Sequence, residues 1–279
     1  MDWKQFQAMQ KAAEIGERFV SYVDEGAGEP VILIHGIPTW GYLWHRLVPV
    51  LSEQNRVIAP DLIGFGYSDK SDDFDRSIAR QAEMIDALMG KLEIESANIV
   101  AHDIGGGVAL RLATLYPHRV NKLCLMNSVS YDSWAIEAMI QLGHPGAYTA
   151  ASAATTIAAL RQMLKQGFNE TPDDEILDGI LAPYSTEVGK LSLIRDATAL
   201  NTNLTTEITR LLHKIEAKTL ILWGEDDKFQ LLKFGQRLAD DIPNAKLIRV
   251  KDARHFVMID QPEAVADHVS RFLANDEKL

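Results

Sequence analysis

The stretch SANIVAHDIGGGVALRLA (residues 96–113) decides the architecture. An apolar run ends abruptly at His102-Asp103, and a glycine-rich start to an amphipathic segment follows at once. The implied order is strand, sharp turn, helix, with a carboxylate at the tip of a buried strand. Burying a charge there is costly unless something uses it. Ala101 and Gly105 flank the turn with small side groups, so strand and helix can pass closely, as at a nucleophile elbow. In that layout the side chain of Asp103 points into a cavity. A helix beginning near Ile104 offers free N–H groups and a positive dipole end, which keep a carboxylate ionised. Taken alone, Asp103 serves equally well as a helix N-cap.

Working outward, apolar runs of the same kind recur: PVILIHG (30–36), RVIAPDL (56–62), KLCLMNS (122–128), KTLILWG (218–224) and AKLIRV (245–250). RFVSYVDEG (18–26) alternates like a half-buried strand. Helical patterns fall between them, at roughly 41–52, 77–91, 105–115, 231–240 and 262–273. Continuous apolar strands spaced by helices predict an α/β fold with a mostly parallel sheet covered on both faces. Residues 129–212 break this rhythm. They hold no strong strand, and AYTAASAATTIAALRQMLKQ is an Ala-rich helical pattern. The expected division is a core of residues 1–128 and 213–279 with a helical cap at 129–212. ANDEKL at the C-terminus reads as a tail.

Two partners complete the reading of Asp103. RHFVMIDQPEAVADHVSRFL places His255 in a loop between the last strand and the final helix. LILWGEDDKF ends a strand in an acidic turn with Asp227 three residues after Gly224, and Asp227 is preferred there to Glu225 and Asp226. The fourth part is HGIP (35–38), whose turn can aim the backbone N–H of Ile37 at the same point as that of Ile104. Two such donors make an oxyanion hole.

These stretches together resemble the α/β-hydrolases of the haloalkane dehalogenase and epoxide hydrolase branch, which use aspartate as nucleophile. The resemblance rests on HGIPTWGYLWHRLVPVL (35–51), VIAPDLIGFGYSDK (57–70), VAHDIGG (100–106), LILWGEDD (220–227) and HFVMIDQPEAV (255–265). It implies an α/β-hydrolase fold with an inserted helical cap. It also implies Asp103 as nucleophile, His255 as general base, Asp227 as the acid that orients it, and Ile37 and Ile104 as oxyanion donors. Chain order agrees, since nucleophile, acid and His follow one another. Where dehalogenases of the family carry tryptophan after the nucleophile and some carry asparagine after HG, this chain has Ile104 and Ile37. Trp40 or Trp134 is then the candidate to hold a leaving halide. For epoxide opening, the cap residues Tyr131, Tyr148, Tyr184 and His144 are candidate acids, although Thr202 and Asn203 stand where a second tyrosine is often found. Ile104 also replaces the arginine with which fluoroacetate-type enzymes bind a substrate carboxylate.

The choice of aspartate narrows the chemistry independently. A carboxylate needs no base at neutral pH. Attack on an acyl group would give a reactive anhydride, whereas attack on a saturated carbon bearing a leaving group gives an ordinary ester. His255 can then activate water against that ester. The expected activity is carbon–halogen hydrolysis of a small uncharged apolar substrate, with epoxide hydrolysis to a diol as the alternative. An esterase-like hydrolase, or a binding protein on the same fold, comes after these.

Composition excludes several classes. A formal net charge of −11 over 279 residues argues against nucleic-acid or anionic-membrane partners. Neither a signal peptide nor a membrane span is visible, so the cytoplasm is the expected compartment. The one cysteine, Cys124, lies in an apolar strand pattern and reads as an inert buried thiol. No cofactor or metal is expected: no His/Asp/Glu cluster has ligand spacing, and GFGYSD lacks the lysine of a phosphate loop.

Overall fold

The computed structural model describes residues 1–274, apart from the side chains of Tyr148 and Ala150. The tail-like stretch after Ala274 lies outside the described residues. Among the described residues there are eight strands: β1 (Lys11–Ile15), β2 (Arg18–Glu25), β3 (Glu29–Ile34), β4 (Asn55–Pro60), β5 (Ala97–His102), β6 (Val120–Met126), β7 (Lys218–Gly224) and β8 (Ala245–Val250). They form one sheet in the order β1-β2-β4-β3-β5-β6-β7-β8. The pairs β1–β2 and β2–β4 are antiparallel and the rest are parallel. This is the mostly parallel sheet expected from the strand pattern, flanked by helices in the arrangement that the resemblance to α/β-hydrolases implies.

Burial follows position in the sheet. All six residues of β5 are buried, as a central strand covered on both faces requires. β8, at the edge, buries only Val250. β1 and the helix Trp3–Ala8 before it have no counterpart in the strand pattern, because only Ala13 in β1 and Phe6 in the helix are buried. Gly16, at φ 63°, opens the short turn that folds β1 back on β2. The helix expected over 41–52 is two pieces, a 3₁₀ turn at Gly41–Trp44 and a helix at Leu47–Leu51. Pro49 explains the break, since its ring would clash with the carbonyl of His45 in a continuous helix.

Strand order locates the functional end. The chain leaves β3 toward β4 on one side and leaves β5 toward β6 on the other. The crevice at the carboxyl ends of β3 and β5 is therefore a topological switch point, where open α/β sheets bind ligands. Asp103 follows β5, and Ile37 lies just beyond β3. Between β6 and β7 the described residues hold helices Glu137–Leu142, Ala147–Ala150, Ala153–Leu164, Asp174–Leu181, Glu187–Thr198 and Asn203–Thr206, and no strand. No helix among the described residues is long and apolar enough to cross a membrane.

Candidate active site

Asp103 sits between β5 and the helix Ile104–Leu115 with φ 53° and ψ −124°. A non-glycine residue at positive φ is strained, and such strain is retained only where the surroundings fix it. Those surroundings are glycines. A methyl at Gly36 would lie 2.4 Å from both Cβ and Oδ1 of Asp103, and one at Gly105 would lie 2.4 Å from the carbonyl oxygens of Ile34 and His35. Only glycine at 36 lets the loop after β3 reach the carboxylate, and only glycine at 105 lets the helix pass over β3.

The Ile37 N–H donates to Asp103 Oδ1 at 2.9 Å. Burial pushes the Asp103 carboxyl above its ordinary range, while His255 and the N–H groups of Ile104 and Ile37 pull it back toward ionisation. Oδ2 is left facing His255 Nε2, 3.7 Å away. One oxygen is thus anchored and the other is free toward the cavity.

His255 is held from three sides. Its Nδ1 donates to Asp227 Oδ2 at 2.9 Å, which leaves the Nε2 lone pair toward Asp103. Its carbonyl accepts a 2.9 Å bond from His102 Nε2, and the two imidazole rings lie 4.5 Å apart. Asp227 in turn accepts from Asn127 Nδ2 at 2.7 Å on Oδ2, and from the N–H groups of Phe229 and Gln230 at 2.7 and 3.0 Å on Oδ1. Burial disfavours the imidazolium at His255, but the charge and hydrogen bond of Asp227, joined by Asp103, outweigh it and raise the pKa above 6.5.

The carboxylate and imidazole open into a narrow cavity. Its walls are apolar, with Ile37, Ile104 and Phe229 from the core and Trp134, Met139 and Leu164 from the helical insertion among them. The structure therefore brings together Asp103, Asp227, His255, Ile37 and Ile104 from four separate stretches of chain.

The candidates for assisting a leaving group are placed differently. Trp134 lines the cavity, but its indole N–H donates to Thr205 Oγ1 at 2.8 Å. Trp40 spends its N–H on the Gly179 carbonyl at 2.8 Å and does not reach the cavity. The Tyr131 hydroxyl donates to Asp241 Oδ2 at 2.7 Å, and Tyr184, completely buried, turns its hydroxyl toward the Thr39 carbonyl. His144 is exposed, with Nδ1 accepting from the Gly146 N–H. Each expectation is corrected for the same reason: the polar atom is committed elsewhere or lies outside the cavity wall. Tyr148 lies outside the residues whose side chains are described. His35, beside Ile37, has a structural role. Its Nε2 accepts from the Leu62 N–H at 2.9 Å, its Nδ1 donates to the Gly36 carbonyl at 2.9 Å, and burial drives its pKa down to about 4.

Three residues escaped the motif reading. Asn127 and His102 brace the acid and the histidine, and Gln230 lines the cavity. Asn127 and His102 stand at the carboxyl ends of β6 and β5, the edge where ligand sites form, and that position was their only signal.

Residues 29–262 match the family model described as alpha/beta hydrolase fold. The chain belongs to this family. Among its relatives is the cis-3-alkyl-4-alkyloxetan-2-one decarboxylase of Shewanella oneidensis, 26% identical over 92% of this chain and 86% of that one. Another is haloalkane dehalogenase 2 of Mycobacterium bovis, 26% identical over 88% of each chain. An alpha/beta hydrolase fold protein from Burkholderia ambifaria superposes with a TM-score of 0.85 at 30% identity, covering 93% of this chain and 98% of that one. This alpha/beta hydrolase is thus similar to proteins named for different reactions, and the residues around Asp103 have to decide among them.

Proposed function

We propose that this alpha/beta hydrolase displaces a halide from a saturated carbon of a small uncharged substrate through an ester on Asp103. The observation that carries the reading is the division of labour between the two Asp103 oxygens. Oδ2 attacks carbon as the carbon–halogen bond breaks, and the bonding pair leaves with the halide. In the second step His255 Nε2 takes a proton from water, which adds to Cγ. Charge gathers on Oδ1, where Ile37 already donates and Ile104 adds its N–H, so the stabilising groups need no rearrangement. The intermediate collapses by releasing the Cγ–Oδ2 bond, and the imidazolium returns a proton to the departing alcohol. The helical insertion acts as a cap whose Trp134, Met139 and Leu164 keep the cavity apolar.

The walls favour an uncharged substrate, because Ile104 and Ile37 provide no cation for a substrate carboxylate. Halide displacement is favoured over epoxide opening for a related reason. An alkoxide needs a proton as it leaves, and the hydroxyls of Tyr131 and Tyr184 are engaged elsewhere. A halide leaves as a stable anion and needs only solvation. The likeness to a haloalkane dehalogenase points the same way.

Intact-mass measurement tests the mechanism. The His255→Ala protein, exposed to a panel of haloalkanes and epoxides, should gain one alkyl group, and Asp103→Ala should not. The panel should include a cis-dialkyl oxetan-2-one, since a relative is named for that substrate. In ¹⁸O-labelled water, a single turnover of the wild type should place the label in Asp103 and leave the first alcohol unlabelled. Labelled alcohol from that turnover would mean that water attacks the substrate directly.

A further inference from the structure

Resting on the Asp103 ester reading, we infer that His102 is a positioning residue for ester hydrolysis. Its imidazole ties the backbone of the general base to the end of the strand that carries the nucleophile. His102 closes β5, one residue before Asp103, and is 1% exposed. It does not line the cavity, so it bears on the reaction only through another group. Its Nε2 donates to the His255 carbonyl at 2.9 Å, the one hydrogen bond this carbonyl accepts among the described residues. The neighbours of His255 are fastened elsewhere. The Phe256 N–H donates to the Gly167 carbonyl of the insertion at 3.1 Å and the Arg254 N–H to Asp260 Oδ2 at 2.9 Å. The Arg254 carbonyl accepts from Asn127 Nδ2 at 3.3 Å. None of these bonds reaches β5. His102 thus links the base loop to the nucleophile strand, and with it sets the 3.7 Å gap between His255 Nε2 and Asp103 Oδ2.

The other ring nitrogen shows what this arrangement costs. Nδ1 is buried with no hydrogen-bond partner. An unpaired buried acceptor costs about 1–3 kcal/mol, which an apolar side chain in this place would avoid. What an apolar side chain cannot offer is the N–H for the His255 carbonyl. Donation from Nε2 puts the proton of the neutral ring there and leaves Nδ1 with its lone pair. Burial, aided by the neighbouring His255, holds the His102 pKa well below its ordinary value, so the ring stays neutral. With the two rings 4.5 Å apart, a charge on His102 would oppose the imidazolium that His255 becomes as it takes a proton from water.

Rapid-quench intact mass over a single turnover separates formation of the Asp103 ester from its hydrolysis. His102→Phe keeps a ring and removes the donor. It should slow hydrolysis about 10–100-fold, the scale of a small misplacement of a reacting group, with ester formation within about threefold of wild type. Its denaturant midpoint should stay near wild type, because the variant exchanges one unpaired buried acceptor, Nδ1, for another, the His255 carbonyl. His102→Gln carries an N–H₂ at the reach of Nε2 and should restore hydrolysis to within about threefold of wild type. His102→Asn, whose amide stops at the reach of Nδ1, should not. The Gln and Asn variants decide the matter by themselves if the phenyl ring is not accommodated. Equal slowing of both steps, or a Gln variant no better than the Asn one, overturns the positioning role while the ester mechanism stands. Absence of ester from every substrate offered to His255→Ala removes the reading on which it rests.

Discussion

At the scale of single residues, the proposed mechanism separates two jobs that act at different times. In it Asp103 works first, and His255 only after an ester exists. His255 must be neutral to accept a proton from water, and its pKa is raised above 6.5 by Asp227 and Asp103 against the effect of burial. The fraction of neutral imidazole therefore begins to fall above pH 6.5 as acid is added. Ester hydrolysis should show that acid limb in single-turnover experiments, and alkylation should not share it. Asp227→Asn removes the charge that raises the pKa and should move the limb to lower pH. Asn127 offers a second separation. Its Nδ2 holds the same Asp227 oxygen that receives His255 Nδ1. Asn127→Ala should slow ester hydrolysis about tenfold, as expected for a lost hydrogen bond to a charged group, and leave alkylation nearly unchanged. Accumulated ester in rapid-quench mass spectra would register it.

At the scale of elements, the turn at Asp103 was legible because its requirements are written in residue size. Small residues at 101 and 105, a carboxylate between them and an apolar run before them admit few other local structures. Asp227 and His255 were legible from their places after β7 and β8. The leaving-group side was not. Trp40, Trp134, Tyr131 and Tyr184 were candidates by residue type, and what decided against them was partners distant in sequence: Gly179, Thr205, Asp241 and Thr39. No local pattern encodes such a pairing. β1 was missed for a different reason, since a mostly exposed edge strand carries almost no apolar alternation. The element that tolerates least change is the helix Ile104–Leu115, buried from Ile104 through Ala113. The obstacles to a Cβ at Gly105 are the backbone carbonyls of Ile34, which ends β3, and of His35, which opens the loop after it, both 2.4 Å away and unable to rotate aside as a side chain would. Gly105→Ala should lower stability by about 1–3 kcal/mol, the usual range for overpacking, read as a shifted denaturant midpoint. It should also weaken ester formation, because the loop displaced is the one carrying Ile37.

At the scale of the whole molecule, the cavity exists only where the helical insertion meets the sheet, so the fastening between them bears on function. Arg76, in the loop after β4, reaches the insertion helix Glu187–Thr198. Its Nη1 donates to the Ser192 carbonyl, Ser192 Oγ and Asp196 Oδ1 at 2.8, 2.7 and 2.9 Å. Its Nη2 binds the carbonyls of Lys70 and Ser71 within its own loop. Arg76 and Asp196 side chains are 1% and 0% exposed. Burial drives the Asp196 pKa up to about 7, with Arg76 opposing the shift. Removing the guanidinium therefore takes away the chief group that favours the carboxylate. Arg76→Ala should cost about 3–5 kcal/mol, as breaking a buried pair from one side generally does. Because the carboxyl of Asp196 would then prefer its protonated form, the loss should be smaller at pH 5 than at pH 8. Replacing both partners, as in Arg76→Met with Asp196→Leu, removes the buried charge altogether and should recover most of the lost stability. Hydrogen exchange over residues 187–198 would show where the loss falls. Faster exchange confined to that helix and its neighbours in the insertion would mark Arg76 as the fastening between insertion and sheet, whereas uniformly faster exchange across β3, β5 and β6 would assign it to the stability of the core.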